Sequence, residues 1–242
     1  MEAINAINLT KKYKDKVAVD NLNLTINKGE LFSLLGVNGA GKTTTIKMLS
    51  CLNKPTSGNA FVGGNSIIDE QLKVKSIIAV CPQETAIAFN LTVKENLELM
   101  CGVYGFSKQK QKDKVNELVK QFKLESILLK KSNTLSGGWK RRLSIAMALI
   151  SEPSILFLDE PTLGLDVIAR SELWDIISFL KGKITIILTT HYMEEAEALS
   201  DRIGIMKDGK LLVVGSPSKL MEMTSTDKIE DAFIKLIKEE SL

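Results

Sequence analysis

The sequence predicts an α/β protein in which a mostly parallel core sheet is interrupted by a helical insertion. Three observations carry that prediction. "SILFLDEP" and "ITIILTTH" are continuous apolar runs, the pattern of strands buried on both faces of a parallel sheet. A long helical pattern beginning near Val167 separates them. Residues from about 92 to 152 read as almost entirely helical, with strand patterns on either side.

Taken in order, residues 1–35 read as strands in "AINAINLTKKY", "VAVDNLNLTI" and "ELFSLLG", with a turn at Lys28-Gly29-Glu30 before the third. A helix is expected over about 41–52. "GNAFVGG" has the look of a hairpin strand, and "SIIAVCPQ" that of an apolar strand stopped by Pro82. "RIGIMKDGKLLVVG" predicts two strands about an Asp-Gly turn. In the tail, "DKIEDAFIKLIKEE" puts Ile229, Ala232, Phe233, Leu236 and Ile237 on one helical face, so a docked helix is expected there. There is no internal repeat and no low-complexity linker.

The 242 residues suffice for one large domain or a core with an inserted lobe. A net charge of +3 is too mild to imply nucleic acid, and no such partner is expected. No apolar run approaches the ~20 residues that cross a bilayer. The start, "MEAINAINLTKKYKDK", lacks the basic-then-apolar order of a signal peptide, so a cytosolic location is expected. Cys51, Cys81 and Cys101 show no zinc-ligand spacing and are expected to be reduced, structural thiols.

The chemistry begins at "GVNGAGKTT", residues 36–44, which match G-x-x-x-x-G-K-[ST] between an apolar strand and a helix. Glycines at 36, 39 and 41 let successive N–H groups turn inward around a phosphate, and the helix start adds partial positive charge. Gly36, Val37, Asn38, Gly39, Ala40, Gly41, Lys42, Thr43 and Thr44 are therefore the candidate phosphate cradle. Lys42 is placed for the β- and γ-phosphates and the Thr43 hydroxyl for Mg²⁺. In "ILFLDE" the apolar strand delivers Asp159 and Glu160 to its carboxyl end, where open α/β sheets bind ligands. Asp159 is expected to hold Mg²⁺, directly or through water, and Glu160 to polarise the water attacking the γ-phosphate; alone, the pair would equally suit a helix cap. The single histidine, His191, follows another buried strand and is a candidate γ-phosphate contact. Gln83 stands at a third strand end, a candidate for Mg²⁺ or water. A second anion grip appears at "LSGGWKRR", where Ser136, Gly137 and Gly138 precede a helical pattern.

Together these residues resemble the ATP-binding-cassette (ABC) ATPases over nearly the whole chain. The order is the family's: phosphate loop, Gln83, "LSGG", "LFLDE", "GLD" at Gly164 to Asp166, then His191. The resemblance implies a P-loop NTPase fold of ABC ATPase type, with an N-terminal antiparallel β subdomain. It places the ATPase core at 1–84 and 154–220, a helical subdomain carrying LSGG at 85–153, and a C-terminal helix at 221–242. It implies ATP and Mg²⁺ as cofactors, with Tyr13 stacking on adenine, Thr43, Gln83 and Asp159 at the metal, and Glu160, His191 and Gln83 in catalysis. It also implies that two cassettes pack head to tail, so that Ser136, Gly137 and Gly138 of one clasp the ATP held by the other's phosphate loop, with Asp166 along that interface.

"LTVKENLELMCGVYG", "TTHYMEEAEALSDRIGIMKDGKLLVVGSP" and "EDAFIKL" look like cassettes of bacterial exporters, whose ATPase and transmembrane permease are separate chains. A peripheral position on the cytoplasmic side of the membrane follows from that resemblance; a soluble cassette ATPase of Fe–S assembly or of nucleic acid and ribosomes is the alternative. Residues 107–131 carry eight Lys against three acids, a solvated face or one lying near anionic headgroups. The departure from the family is Trp139, where many members have Gln. It is expected to pack either at an interface or within its own lobe.

Overall fold

The computed structural model describes residues 1–239. The chain opens with β1 (Glu2–Tyr13) and β2 (Lys16–Asn27), followed by β3 (Leu31–Leu35), α1 (Lys42–Leu49), β4 (Ser57–Val62) and β5 (Asn65–Ser66). It continues through α2 (Gln71–Ile77), β6 (Ile78–Cys81), α3 (Val93–Val103), α4 (Lys108–Gln121), α5 (Gly137–Ala148) and β7 (Ile155–Asp159). The last third holds α6 (Val167–Leu180), β8 (Thr185–Thr190), α7 (Met193–Leu199), β9 (Arg202–Lys207), β10 (Lys210–Gly215), α8 (Pro217–Thr224) and α9 (Ile229–Glu239).

Two sheets result. One is antiparallel with strand order β2-β1-β4-β5, and the other has order β10-β9-β3-β8-β7-β6, parallel throughout except where β10 returns beside β9. The expected antiparallel N-terminal sheet and mostly parallel core are both present. In β1 and β2, Asn8 and Asn21 take left-handed φ values of 49° and 48° beside breaks in register, a conformation Asn tolerates better than most residues.

Double-sided burial of the core strands shows in their alternation. Ile155 and Phe157 of β7 pack with the antiparallel sheet and α1, whereas Leu156 and Leu158 pack with the helical segment. In β8, Ile187 joins the first group and Ile186 and Leu188 the second. Each of these β7 and β8 side chains is at most 2% exposed, so the carboxyl ends of both strands are rigidly placed. The helices start where polar caps dictate. Thr92 and Glu95 form a reciprocal capping box on α3, Ser107 caps α4, and Ser216 with Pro217 begins α8.

The structure departs from expectation in three places. The segment before β6 contains α2, a helix with only Val74 buried, so the strand read from Ser76 begins at Ile78. The helix expected over 41–52 ends at Leu49, with Cys51 left-handed just beyond it. The C-terminal helix expected over 221–242 is the end of α8 and then α9, separated at Ser225 (φ 53°); residues 240–242 lie outside the described residues. Ile229, Ala232 and Phe233 are buried as expected, with Leu236 and Ile237 packed beside them. The lysine-rich stretch is largely a solvated face. Lys110 and Lys114 pair with Glu152, whose carboxyl they hold below its ordinary range, while Lys108, Lys112, Lys120, Lys123, Lys130 and Lys131 are exposed.

Candidate functional site

The carboxyl ends of β3, β6, β7 and β8 converge on one cavity of about 550 Å³. It is lined by Tyr13, Asn38 to Thr44, Gln83, Glu160 and His191, together with Lys16, Ala18 and Leu163. Gly36 and Val37 complete the loop through their carbonyls, which accept from Lys42 Nζ at 2.7 and 3.3 Å. The loop's close turns require glycine. Gly41 has φ 105°, and a Cβ there would stand 2.5 Å from the Ala18 carbonyl oxygen. Behind it, α1 presents its N-terminus to the cavity.

Charge is concentrated on the cavity floor. Lys42 Nζ lies 3.2 Å from Glu160 Oε1, with both side chains under 10% exposed. Glu160 Oε2 meets His191 Nδ1 at 2.6 Å, so one carboxylate joins the phosphate-loop lysine to the histidine. Glu160 itself has φ 49°, a left-handed backbone at the turn leaving β7. A non-glycine residue held there is strained, and its N–H is fixed by the Thr189 carbonyl (3.1 Å) and hydroxyl (3.0 Å). That strain turns the carboxylate into the cavity rather than along the strand.

Asp159 Oδ1 accepts from the hydroxyls of Thr43 at 3.0 Å and Thr189 at 2.6 Å. The pair Thr43 and Asp159 is a hard, oxygen-only donor set with one carboxylate. This suits Mg²⁺, which completes its shell with water and substrate phosphates rather than with a protein cage. No cluster of three His, Cys, Asp or Glu able to hold a metal occurs among the described residues. Gln83 is exposed and lines the cavity rim. At the mouth, half-exposed Tyr13 accepts a 2.7 Å hydrogen bond from Asn53 and carries the Lys11 ammonium 5.0 Å from its ring centroid.

Ser136, Gly137 and Gly138 lie apart from this cavity, at the start of α5. The Ser136 hydroxyl caps nothing in its own helix, and Ser136 and Gly137 are exposed. Gly138 is needed for packing: a Cβ would come within 2.9 Å of Ala169 Cβ on α6. Asp166 caps α6 by accepting from the Ala169 N–H at 2.9 Å and is exposed beside this pair of helix starts. Trp139 packs within its own lobe, against the helical core and with the Arg142 guanidinium 4.5 Å above its ring. Trp139→Gln is therefore expected to cost roughly 1–3 kcal/mol of stability while leaving turnover within about tenfold, checked by thermal melting and ATPase rate.

One contact was not legible in the sequence. Arg141, buried on α5, donates to the carbonyls of Pro82 (2.7 Å) and Gln83 (2.6 Å). The helix that begins at Ser136 thus holds the backbone of Gln83. A basic residue two places past a Trp carries no signal for that role; only the fold brings 141 to 83.

The family profile described as "ABC transporter" matches residues 19–163. The chain is 42% identical over 240 residues to the Escherichia coli (strain K12) protein named probable multidrug ABC transporter ATP-binding protein YbhF, covering 97% of this chain but 41% of that protein. It is 38% identical over 229 residues to daunorubicin resistance ATP-binding protein DrrA3 of Streptomyces coeruleorubidus, covering 94% of this chain and 72% of that one. Among solved structures, an ATP-binding subunit of an ABC transporter superposes with a TM-score of 0.85 at 27% identity, over 97% of this chain and 99% of its own. A dimeric post-hydrolysis ATP-binding cassette bound to ADP and Pi gives 0.79 at 30% identity, over 88% and 98%. The chain belongs to the ABC transporter family and is its ATP-binding, ATPase-class cassette.

Proposed function

We propose that this chain is the ATP-hydrolysing cassette of an exporter-type membrane transporter, acting in head-to-tail pairs and driving a separate transmembrane subunit from the cytoplasmic face. The observation that carries the reading is the separation of two phosphate grips. The cavity at Gly36 to Thr44 is built within one chain, whereas at the start of α5 Ser136 and Gly137 are exposed and the Ser136 hydroxyl caps nothing in its own helix. A second cassette, identical or related, supplies the phosphates that this helix start is formed to receive.

In this reading Lys42 neutralises the β- and γ-phosphates and Tyr13 supports the base. Thr43, Asp159 and Gln83 would hold Mg²⁺, which supplies charge neutralisation on the phosphate oxygens. Glu160 accepts the proton of the attacking water. His191 keeps that carboxylate turned toward the γ-phosphate through its 2.6 Å bond. Reaching the γ-phosphate requires Lys42 to exchange Glu160 for the nucleotide, which frees one carboxylate oxygen for the water. Gln83, held through Arg141, links this chemistry to the helical segment. There Phe89, Leu99, Val103 and Tyr104 are each exposed, apolar side chains available to a transmembrane partner. The names of the multidrug and daunorubicin-resistance relatives support export. No helix among the described residues is long and apolar enough to span a bilayer.

Ser136→Ala and Gly137→Asp are expected to leave nucleotide binding by a single cassette unchanged while lowering turnover at least tenfold. Fluorescent-nucleotide titration alongside ATPase assay makes the test. Loss of binding in the isolated monomer would contradict a grip that acts on the other chain's ATP.

A further inference from the structure

Two groups hold His191, and only one of them belongs to the chemistry above. Its Nδ1 meets Glu160 Oε2 at 2.6 Å, and its side chain is 29% exposed. An imidazole with one hydrogen bond and part of its ring in solvent can turn about that bond unless something packs against the ring. The packing comes from the next residue. The Tyr192 ring centroid lies 4.1 Å from that of His191, with 39° between the planes. Tyr192 is fixed in turn at its N–H, which donates to the Thr190 hydroxyl at 3.0 Å.

The Tyr192 ring has a support of its own. Arg170, in the first turn of α6, places its guanidinium carbon over that ring, 4.5 Å from the centroid. The guanidinium has little else. Its Nε is buried without a hydrogen-bond partner among the described residues. The carboxylate it pairs with, Glu194, lies 3.9 Å away on a side chain that is 82% exposed. A cation so placed draws its compensation from the face of the aromatic ring. The turn that carries Arg170 is itself held firmly. The Arg170 N–H donates to the Asp166 carbonyl at 2.9 Å, and the Asp166 carboxylate caps the helix through Ala169. A line of contacts therefore runs from the start of α6 through Arg170 and Tyr192 to the imidazole that meets Glu160. Neither Arg170 nor Tyr192 lines the cavity, so neither is placed to hold nucleotide itself.

We propose that Tyr192, backed by Arg170, is a positioning residue of the ATP site, whose ring holds the His191 imidazole at the angle that meets Glu160. The proposal rests on the role assigned above to His191. Its effect falls on kcat, because the imidazole orients the carboxylate that takes the proton, whereas the phosphate cradle and Tyr13 set nucleotide affinity. The ring supplies the contacts and the hydroxyl has no part in them, so phenylalanine can replace Tyr192 and leucine cannot. At position 170 lysine keeps a cation for the ring, and methionine keeps only the bulk.

The test is steady-state ATPase kinetics of Tyr192→Leu, Tyr192→Phe, Arg170→Met and Arg170→Lys, with Tyr192→Leu repeated on a His191→Ala background. Tyr192→Leu is expected to lower kcat roughly 10–50-fold with KM for ATP within about threefold, while Tyr192→Phe stays within about threefold of the parent. Arg170→Met is expected to lower kcat several-fold, and Arg170→Lys to recover most of that loss. On His191→Ala, whose residual rate is followed by single-turnover hydrolysis, Tyr192→Leu should cost nothing further, because the group it positions is gone. A folded Tyr192→Leu with parental kcat, a phenylalanine variant as impaired as leucine, a defect in KM alone, or a loss that multiplies in full on His191→Ala would overturn the proposal. Should Tyr192→Leu not fold, Arg170→Met decides, and parental kcat in that variant overturns it as well. If His191→Ala turns over normally, the reading of the site itself fails. If His191→Ala is impaired while Tyr192→Leu and Arg170→Met match the parent, only the positioning role of Tyr192 fails.

Discussion

A Glu160→Gln variant is expected to hydrolyse MgATP about 10²–10⁴-fold more slowly while still binding it, and to accumulate as an ATP-bound dimer. The amide keeps the shape of the side chain but cannot take a proton from water. Its neighbours make the substitution mild for the fold. His191 Nδ1 can still pair with the amide, and the left-handed turn at Glu160 is held by main-chain bonds to Thr189, which the variant retains. What the amide cannot keep is the ion pair between Glu160 Oε1 and Lys42, and nucleotide phosphates take the carboxylate's place beside that ammonium. Binding therefore persists and release stalls if, as proposed, ATP is the shared ligand that joins two cassettes. Light scattering with and without MgATP, beside a turnover assay, measures both halves. Normal turnover would remove Glu160 from the role of base.

Lys42→Ala is expected to act on the opposite limb, weakening MgATP binding by about 10–100-fold and abolishing useful turnover. The ammonium is buried on the cavity floor, donating to the Gly36 and Val37 carbonyls and facing Glu160. Alanine leaves those two carbonyls without their donor and the polyanion without its nearest cation. The same change leaves Glu160 paired only with His191 on a buried floor. A modest drop in melting temperature without nucleotide should therefore accompany the loss of affinity. Isothermal titration distinguishes this from a turnover defect. Unchanged affinity together with unchanged turnover would contradict the assignment of the phosphate loop.

Much of this architecture was legible in the residues because it rests on local rules. "GVNGAGKTT" between an apolar strand and a helix specifies its own backbone, and the structure lines the cavity with Asn38 to Thr44. "ILFLDE" and "IILTTH" carry double-sided burial in their composition, and that burial places Asp159, Glu160 and His191 at adjacent strand ends. Elements with weak periodicity were not legible. α2 is seven residues long with one buried side chain, so nothing marks it against the loop, and the break at Ser225 depends on a left-handed residue that no glycine advertises. Contacts made across the fold were hidden as well. Arg141 meets Gln83 across 58 residues, Thr189 orders Asp159 and Glu160 across the sheet, and Glu195 on α7 accepts from the Trp174 indole on α6. In "HYMEEAEAL" the buried acid and the exposed Glu194 beside it are the same letter, and only packing separates them.

The central claim is that a working ATP site is shared between two cassettes, and mixing two inactive variants tests it most directly. Lys42→Ala spoils the phosphate loop and Gly137→Asp spoils the helix start. A mixed head-to-tail pair carries both defects in one site and leaves the other site intact. ATPase activity measured on the mixture should rise well above the sum of the two variants measured separately. A mixture that does no better than that sum, under conditions where the parent chain pairs with itself and turns over, would contradict a site built from two chains.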